Sequence, residues 1–129
     1  MHQTQKFSIK KRIKSFSYAF SGLKTALKEE HNARIHLFAA VLVVVLSLFF
    51  GINTYEWIAV VFAIGFVFAM ELLNSAIENT ADFISPERHN TIKKIKDLSA
   101  AAVLISAIVA LIVGLLIFLP KIYELCLNN

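Results

Sequence analysis

Apolar residues fall in three long runs, which read LFAAVLVVVLSLFF from Leu37 to Phe50, WIAVVFAIGFVFAM from Trp57 to Met70, and LSAAAVLISAIVALIVGLLIFL from Leu98 to Leu119. A helix needs about 20 such residues to cross a hydrocarbon core. The third run is long enough alone and predicts a span near 97–119, with Pro120 as its stop. Its small residues, Ser99, Ala100, Ala101, Ala102, Ser106, Ala107 and Ala110, suit close helix packing in lipid. The first run reaches spanning length, near 35–52, if Arg34, Ile35 and His36 sit at the interface and Gly51 and Ile52 extend it. The second meets Glu71 too early. Continuing through Leu72, Leu73, Ala76 and Ile77 supplies the missing turns and predicts a span near 57–83. Its acidic positions then begin inside the membrane or at its border.

The segment ahead of these runs has another rhythm. Ile13, Phe16, Phe20, Leu23 and Leu27 recur at steps of three and four, with Lys10, Lys11, Arg12, Lys14, Lys24 and Lys28 around them. This pattern predicts a basic amphipathic helix lying on an anionic membrane surface. Lipid is the more economical partner than nucleic acid beside three membrane helices, so no nucleic-acid partner is expected. A cleavable signal peptide is not expected either, because no unbroken apolar core precedes a small-residue cleavage site. The chain thus divides into 1–29, a basic interfacial helix, and 30–129, a three-span membrane domain.

Composition agrees. Of 129 residues, 57% are hydrophobic and 17% charged, too little polar surface for an ordinary soluble domain. The expected class is an all-α membrane protein, in preference to a soluble all-α core with unusually apolar helices. Charge distribution sets orientation. Eight Lys or Arg precede the first span, four (Arg88, Lys93, Lys94, Lys96) lie between the second and third, and GINTYE has none. The positive-inside rule places the N-terminus and the 83–97 loop in the cytoplasm and the C-terminus outside. Tyr55 and Trp57 read as interface anchors. The single cysteine, Cys126, excludes an internal disulfide and receives no role.

The stretch FAMELLNSAIENTADFI poses the chemical question. At about 100° per residue, Glu71, Asn74, Glu78 and Asp82 fall within an arc of roughly 80° on one helix face. Glu29 and Glu30 precede the first span, and Lys96 and Asp97 precede the third. Three helix ends therefore bring charge to the cytoplasmic interface. An ionised carboxylate in hydrocarbon costs several kcal/mol unless paired, hydrated or metal-bound. Carboxylates with an amide and little His or Cys suit Mg²⁺ rather than zinc. A spare carboxylate suits proton acceptance from a hydroxyl, and interfacial lysines suit phosphates. No Walker loop, protein-kinase signature or zinc pattern occurs.

ELLNSAIENTAD, with KDLSAAAVLI downstream and GLKTALKEEHNARIH upstream, resembles the small bacterial lipid kinases. That family comprises the prokaryotic diacylglycerol kinases and the closely similar undecaprenol kinases. The resemblance covers about residues 12 to 120. It implies a three-span subunit with an N-terminal surface helix, assembled as a homotrimer in the bacterial cytoplasmic (inner) membrane. It also implies phosphoryl transfer from Mg·ATP to a membrane lipid alcohol. Glu71 matches the catalytic base and Asn74 a positioning group, both beside the lipid hydroxyl. Glu78 and Glu30 match metal-ligating carboxylates. Lys96 and Asp97 match a nucleotide-contacting pair, His89 a loop histidine near the base, and Asp82 a supporting acid of the nucleotide site. Tyr18 is a further candidate nucleotide contact, with an amphipathic-helix aromatic as its other reading. The family's N-terminal arginine falls nearest Lys11 or Arg12; both stay open, with Arg12 carried as the nucleotide contact. FISPERHNTIKK departs from the family's loops.

Two other classes compete. A cation transporter would use the same stripe but needs polar residues through the depth of a span, which WIAVVFAIGF lacks. A non-catalytic scaffold would tolerate Glu71→Gln and Glu78→Gln with no loss of activity, and both alternatives predict no ATP turnover. Between acceptors, the RIH and GLLIFLPKI stretches resemble the undecaprenol branch more than the diacylglycerol branch.

Overall fold

The computed structural model describes residues 6–87 and 89–128. Arg88, one of the four loop cations counted above, lies outside the described residues, as do residues 1–5 of the N-terminal segment. Four helices follow in order: α1 (Ile9–Glu29), α2 (His31–Phe50), α3 (Thr54–Ile84) and α4 (Asn90–Leu127). The described residues contain no strand. The chain is all-α, and α2, α3 and α4 are each long and apolar enough to cross a membrane.

The connections are short because local chemistry ends each helix sharply. Ser8 caps α1 by accepting the Lys11 N–H. One extended residue, Glu30, separates α1 from α2. Its own N–H donates to the Ala26 carbonyl at 2.9 Å, and Arg34 Nη1 donates to the Lys28 carbonyl at 3.3 Å. Two of the carbonyls left open at the end of α1 are thereby satisfied. At the far end of α2, Gly51 adopts φ 59°, and the N–H groups of Gly51 and Ile52 donate to Leu48 and Ser47. This is a Schellman stop, which needs a left-handed residue. Asn53 and Glu56 then form a reciprocal capping box at the start of α3.

Packing follows the same economy. α3 lies mainly against α4, with α2 second and α1 making lighter contact. A cluster of Ile52, Val60, Ile117 and Phe118 closes the end of the bundle near Gly51, with Trp57 and Phe50 packed against it. Lys121 Nζ donates to Glu56 Oε1 at 3.0 Å across the same end. Elsewhere the large apolar side chains point outward, Phe62 and Leu116 among them. That inversion suits lipid, where an outward Leu costs nothing and helix contacts are left to small residues. The apolar face of α1 also points away from the bundle: Ile13, Phe16 and Phe20 are exposed.

Pro120 does not stop the last helix. α4 continues through it to Leu127. Proline removes one N–H and crowds the preceding turn, a cost that membrane helices tolerate when neighbours hold the segment. Here the Lys121–Glu56 pair one residue later ties the extension to α3.

Gly51→Ala tests the turn. Nothing lies within 4 Å of an added Cβ, so any loss reports backbone strain alone, about 1–2 kcal/mol. Thermal unfolding in detergent micelles should show a lowered midpoint for Gly51→Ala and a smaller drop for Gly51→Asn, which tolerates the left-handed region.

Candidate active site

The polar stripe of α3 lies on its buried face. Val60, Val67, Glu71, Asn74, Ser75 and Ala81 are all buried, so Glu71 and Asn74 continue inward the row that packs the bundle. Burial declines along the stripe: Glu71 is 1% exposed, Glu78 is half-buried and Asp82 is exposed. α3 has 31 residues, about 46 Å, and so outlasts a hydrocarbon core of about 30 Å. Counted from Trp57, about 20 residues of span end near Ile77. Glu71 then lies about 9 Å inside that boundary, and Glu78 and Asp82 beyond it.

Glu71 has no complement on its own helix. Among the described residues, neither of its carboxylate oxygens has a hydrogen-bond partner. The basic group nearest to it is on α2, where His36 Nε2 stands 3.7 Å from Oε2. Glu30 and Glu78 are both near enough for their charges to act on it. Asn74, one turn on, is held across the bundle: Ser99 Oγ of α4 donates to its Oδ1 at 2.7 Å, both side chains being buried. Ser99 sits one turn after Lys96, and its hydroxyl is also 3.0 Å from the Lys96 carbonyl. One α4 turn therefore couples Asn74 to the lysine position.

The nucleotide candidates divide. Asp82, His89, Lys96 and Asp97 all line one groove of ≈ 490 Å³ between the end of α3 and the start of α4. Lys96 is paired there with Asp82, and Lys93 with Asp97. His89 caps α4, accepting the Thr91 N–H at Nδ1 at 3.2 Å. Glu30 lines a second groove of ≈ 600 Å³ between α1 and α3, with Glu29, Ser75 and Asn79. Tyr18 and Arg12 line neither groove. Tyr18 is exposed on α1, and the Arg12 guanidinium lies 5.6 Å from the centre of the Phe7 ring.

Sequence reasoning missed Ser99 and His36 as site residues. Ser99 counted only as a small packing residue and His36 only as part of a helix boundary. A polar side chain two residues past a K-D pair was a usable signal for Ser99; spacing singles out nothing about His36.

The donor set fits a hard divalent cation. Glu30, Glu71 and Glu78 offer carboxylate oxygens, and the single cysteine is far along the chain and exposed. Among the described residues, no three His, Cys, Asp or Glu side chains gather tightly enough within one chain to hold an ion. Mg²⁺ tolerates this, since it keeps waters and takes one or two carboxylates with substrate phosphate oxygens. The buried hydroxyls deeper in the bundle, Ser47 and Ser106, donate to Val43 and Val103 of their own helices at 2.7 Å.

Comparison with known proteins covers most of the chain. The family model described as prokaryotic diacylglycerol kinase matches residues 17–118. Undecaprenol kinase of Bacillus subtilis is 39% identical over 110 residues, which is 85% of this chain and 89% of that protein. Diacylglycerol kinase of Haemophilus influenzae is 37% identical over 107 residues, 82% and 91% of the two chains. Diacylglycerol kinase of Escherichia coli K12 is 35% identical over 100 residues, 78% and 82%.

The Asn74–Ser99 contact generates a stability test. Ser99→Ala strands a buried amide oxygen and should cost about 1–3 kcal/mol, read as a lower unfolding midpoint in micelles. Ser99→Thr keeps the hydroxyl and should lose less.

Proposed function

The chain belongs to the prokaryotic diacylglycerol kinase family and is a membrane lipid kinase, and from that premise we propose how its residues divide the reaction. Family membership implies ATP as phosphoryl donor and a lipid as acceptor. The observation that carries the reading is Glu71, a carboxylate buried at membrane depth with both oxygens unpartnered. A group of that kind is a functional hypothesis by default in a membrane helix.

Glu71 acts as general base. The acceptor's hydroxyl oxygen forms a bond to the γ-phosphorus, the bridge from that phosphorus to ADP breaks, and the hydroxyl proton passes to Glu71. Asn74, locked by Ser99, orients the acceptor hydroxyl beside it. Lys96, Asp97, His89 and Asp82 border the nucleotide in the loop groove. The Lys96–Asp82 pair is half-exposed and exposed respectively, so it contributes about 0–1 kcal/mol and yields readily to a phosphate. Arg12 and Tyr18 of α1, which do not line that groove, remain proposed nucleotide contacts on the family resemblance alone. Glu30 and Glu78 would hold Mg²⁺, which when bound neutralises phosphate charge and orients the transferred group.

Such transfer needs mainly positioning and charge stabilisation. A homotrimer is the proposed assembly, as the family resemblance implies. α1 lies on the cytoplasmic leaflet, where ATP is present, and the C-terminus is outside. The proposed acceptor is undecaprenol, supported by the Bacillus relative and by the RIH stretch, with diacylglycerol as the competing alcohol.

The full-length protein in mixed micelles with Mg·ATP and each alcohol tests this. Glu71→Gln should lower kcat by about 10²-fold or more. Glu30→Gln and Glu78→Gln should raise the Mg²⁺ needed for half-maximal rate by about tenfold or more. A Glu71→Gln enzyme near wild-type rate would remove the base from the mechanism. Orientation has its own test: a membrane-impermeant maleimide should label Cys126, the single and exposed thiol, in intact cells. Labelling only after permeabilisation would reverse the topology.

A further inference from the structure

As a general base Glu71 acts in its ionised, acceptor-only form, and an acceptor inside a helix bundle needs a donor from elsewhere. Its own helix supplies none: both oxygens lack partners among the described residues. The candidate donor is His36, in the second turn of α2, with Nε2 3.7 Å from Glu71 Oε2. The His36 side chain is one-fifth exposed, whereas Glu71 is sealed. The imidazole also lines an apolar groove of ≈ 300 Å³ with Ala39, Val43, Val67, Phe68 and Ala107. It therefore separates the carboxylate from a space fit for hydrocarbon.

We infer that His36 is a positioning residue for Glu71, donating from Nε2 to Oε2 and fixing the carboxylate so that Oε1 faces the acceptor hydroxyl. The inference rests on the reading of Glu71 as base. At 3.7 Å the contact is longer than a formed hydrogen bond by about 0.7 Å, and too short to seat a water between the two atoms. Catalytic contacts of this kind tighten when substrate binds. A small rotation of either side chain closes the gap. Holding one carboxylate oxygen also selects which lone pair meets the substrate, and a misplacement of about 1 Å there is worth about 10²-fold in rate.

Full-length His36→Leu and His36→Gln, assayed in mixed micelles at saturating ATP and lipid, test the role. His36→Leu should lower kcat about 10–100-fold and leave the KM for ATP within about twofold. His36→Gln retains an N–H near the place of Nε2 and should recover about tenfold over the leucine variant. On a Glu71→Gln background His36→Leu should cause no further loss, because the two act as a unit. Three results would overturn the assignment: a leucine variant at wild-type kcat, a glutamine variant as slow as leucine with an unchanged unfolding midpoint, or additive losses. Should His36→Leu fail to fold, His36→Gln against the shorter His36→Asn decides it, equal rates counting against the role. A wild-type chain that phosphorylates neither lipid overturns the reading of Glu71 and the inference with it; slow His36→Gln in an active wild type overturns the inference alone.

Discussion

A carboxylate enclosed by apolar helices has no water to complete its hydrogen bonds, and that constraint organises the inner end of this bundle. Two buried serines meet the same problem locally, whereas the Ser75 hydroxyl has no hydrogen-bond partner among the described residues. Ser47 and Ser106 turn back onto carbonyls of their own helices and are satisfied there. Glu71 in the ionised form that a base requires cannot do so, because a carboxylate accepts and does not donate, while every helix carbonyl also accepts. Its partners must come from another helix or from a ligand. His36 on α2 is the group that stands nearest to meeting that requirement, whereas Glu30 and Glu78 bring further acceptors and so raise the need for a cation or donor between them.

Helix length converts the requirement into a depth. At 31 residues α3 is longer than a hydrocarbon core of about 30 Å requires, and along one face burial falls from Glu71 through Glu78 to Asp82. The extended residue Glu30 places a carboxylate where α1 turns into α2, and α1 reaches α3 from that elbow. Capped, short connections hold these levels in register: the Schellman stop at Gly51 and the Asn53–Glu56 box leave α2 and α3 little freedom to slide. The Lys121–Glu56 pair carries the same restraint to α4, beyond Pro120.

The inner end is built from interactions of unequal strength, and the difference has mechanistic use. The Asn74–Ser99 bond is buried and costly to break. The Lys96–Asp82 and Lys93–Asp97 pairs lie toward solvent and yield readily. In the proposed nucleotide groove, cations held in such pairs are open to capture by a phosphate, beside an amide that stays in place. Lipid kinase chemistry, which needs little from the protein beyond placement and charge, sits naturally on such a division.

Although α4 starts at Asn90 and ends at Leu127, well outside the 97–119 expected, the all-α class and three long apolar helices followed from the sequence by itself, as did the stripe from Glu71 to Asp82. Each is a local property, since a 3.6-residue period and an apolar run of given length need no partner to be recognised. Family likeness was legible too, because ELLNSAIENTAD and KDL are contiguous. Tertiary structure alone decided that Glu71 is sealed while Asp82 is exposed, that Ser99 holds Asn74, that His36 faces Glu71, and that Lys96 pairs with Asp82. It also carried α4 through Pro120. Those outcomes depend on how far each helix is rotated and shifted against its neighbours, and periodicity along one helix contains no term for the position of another.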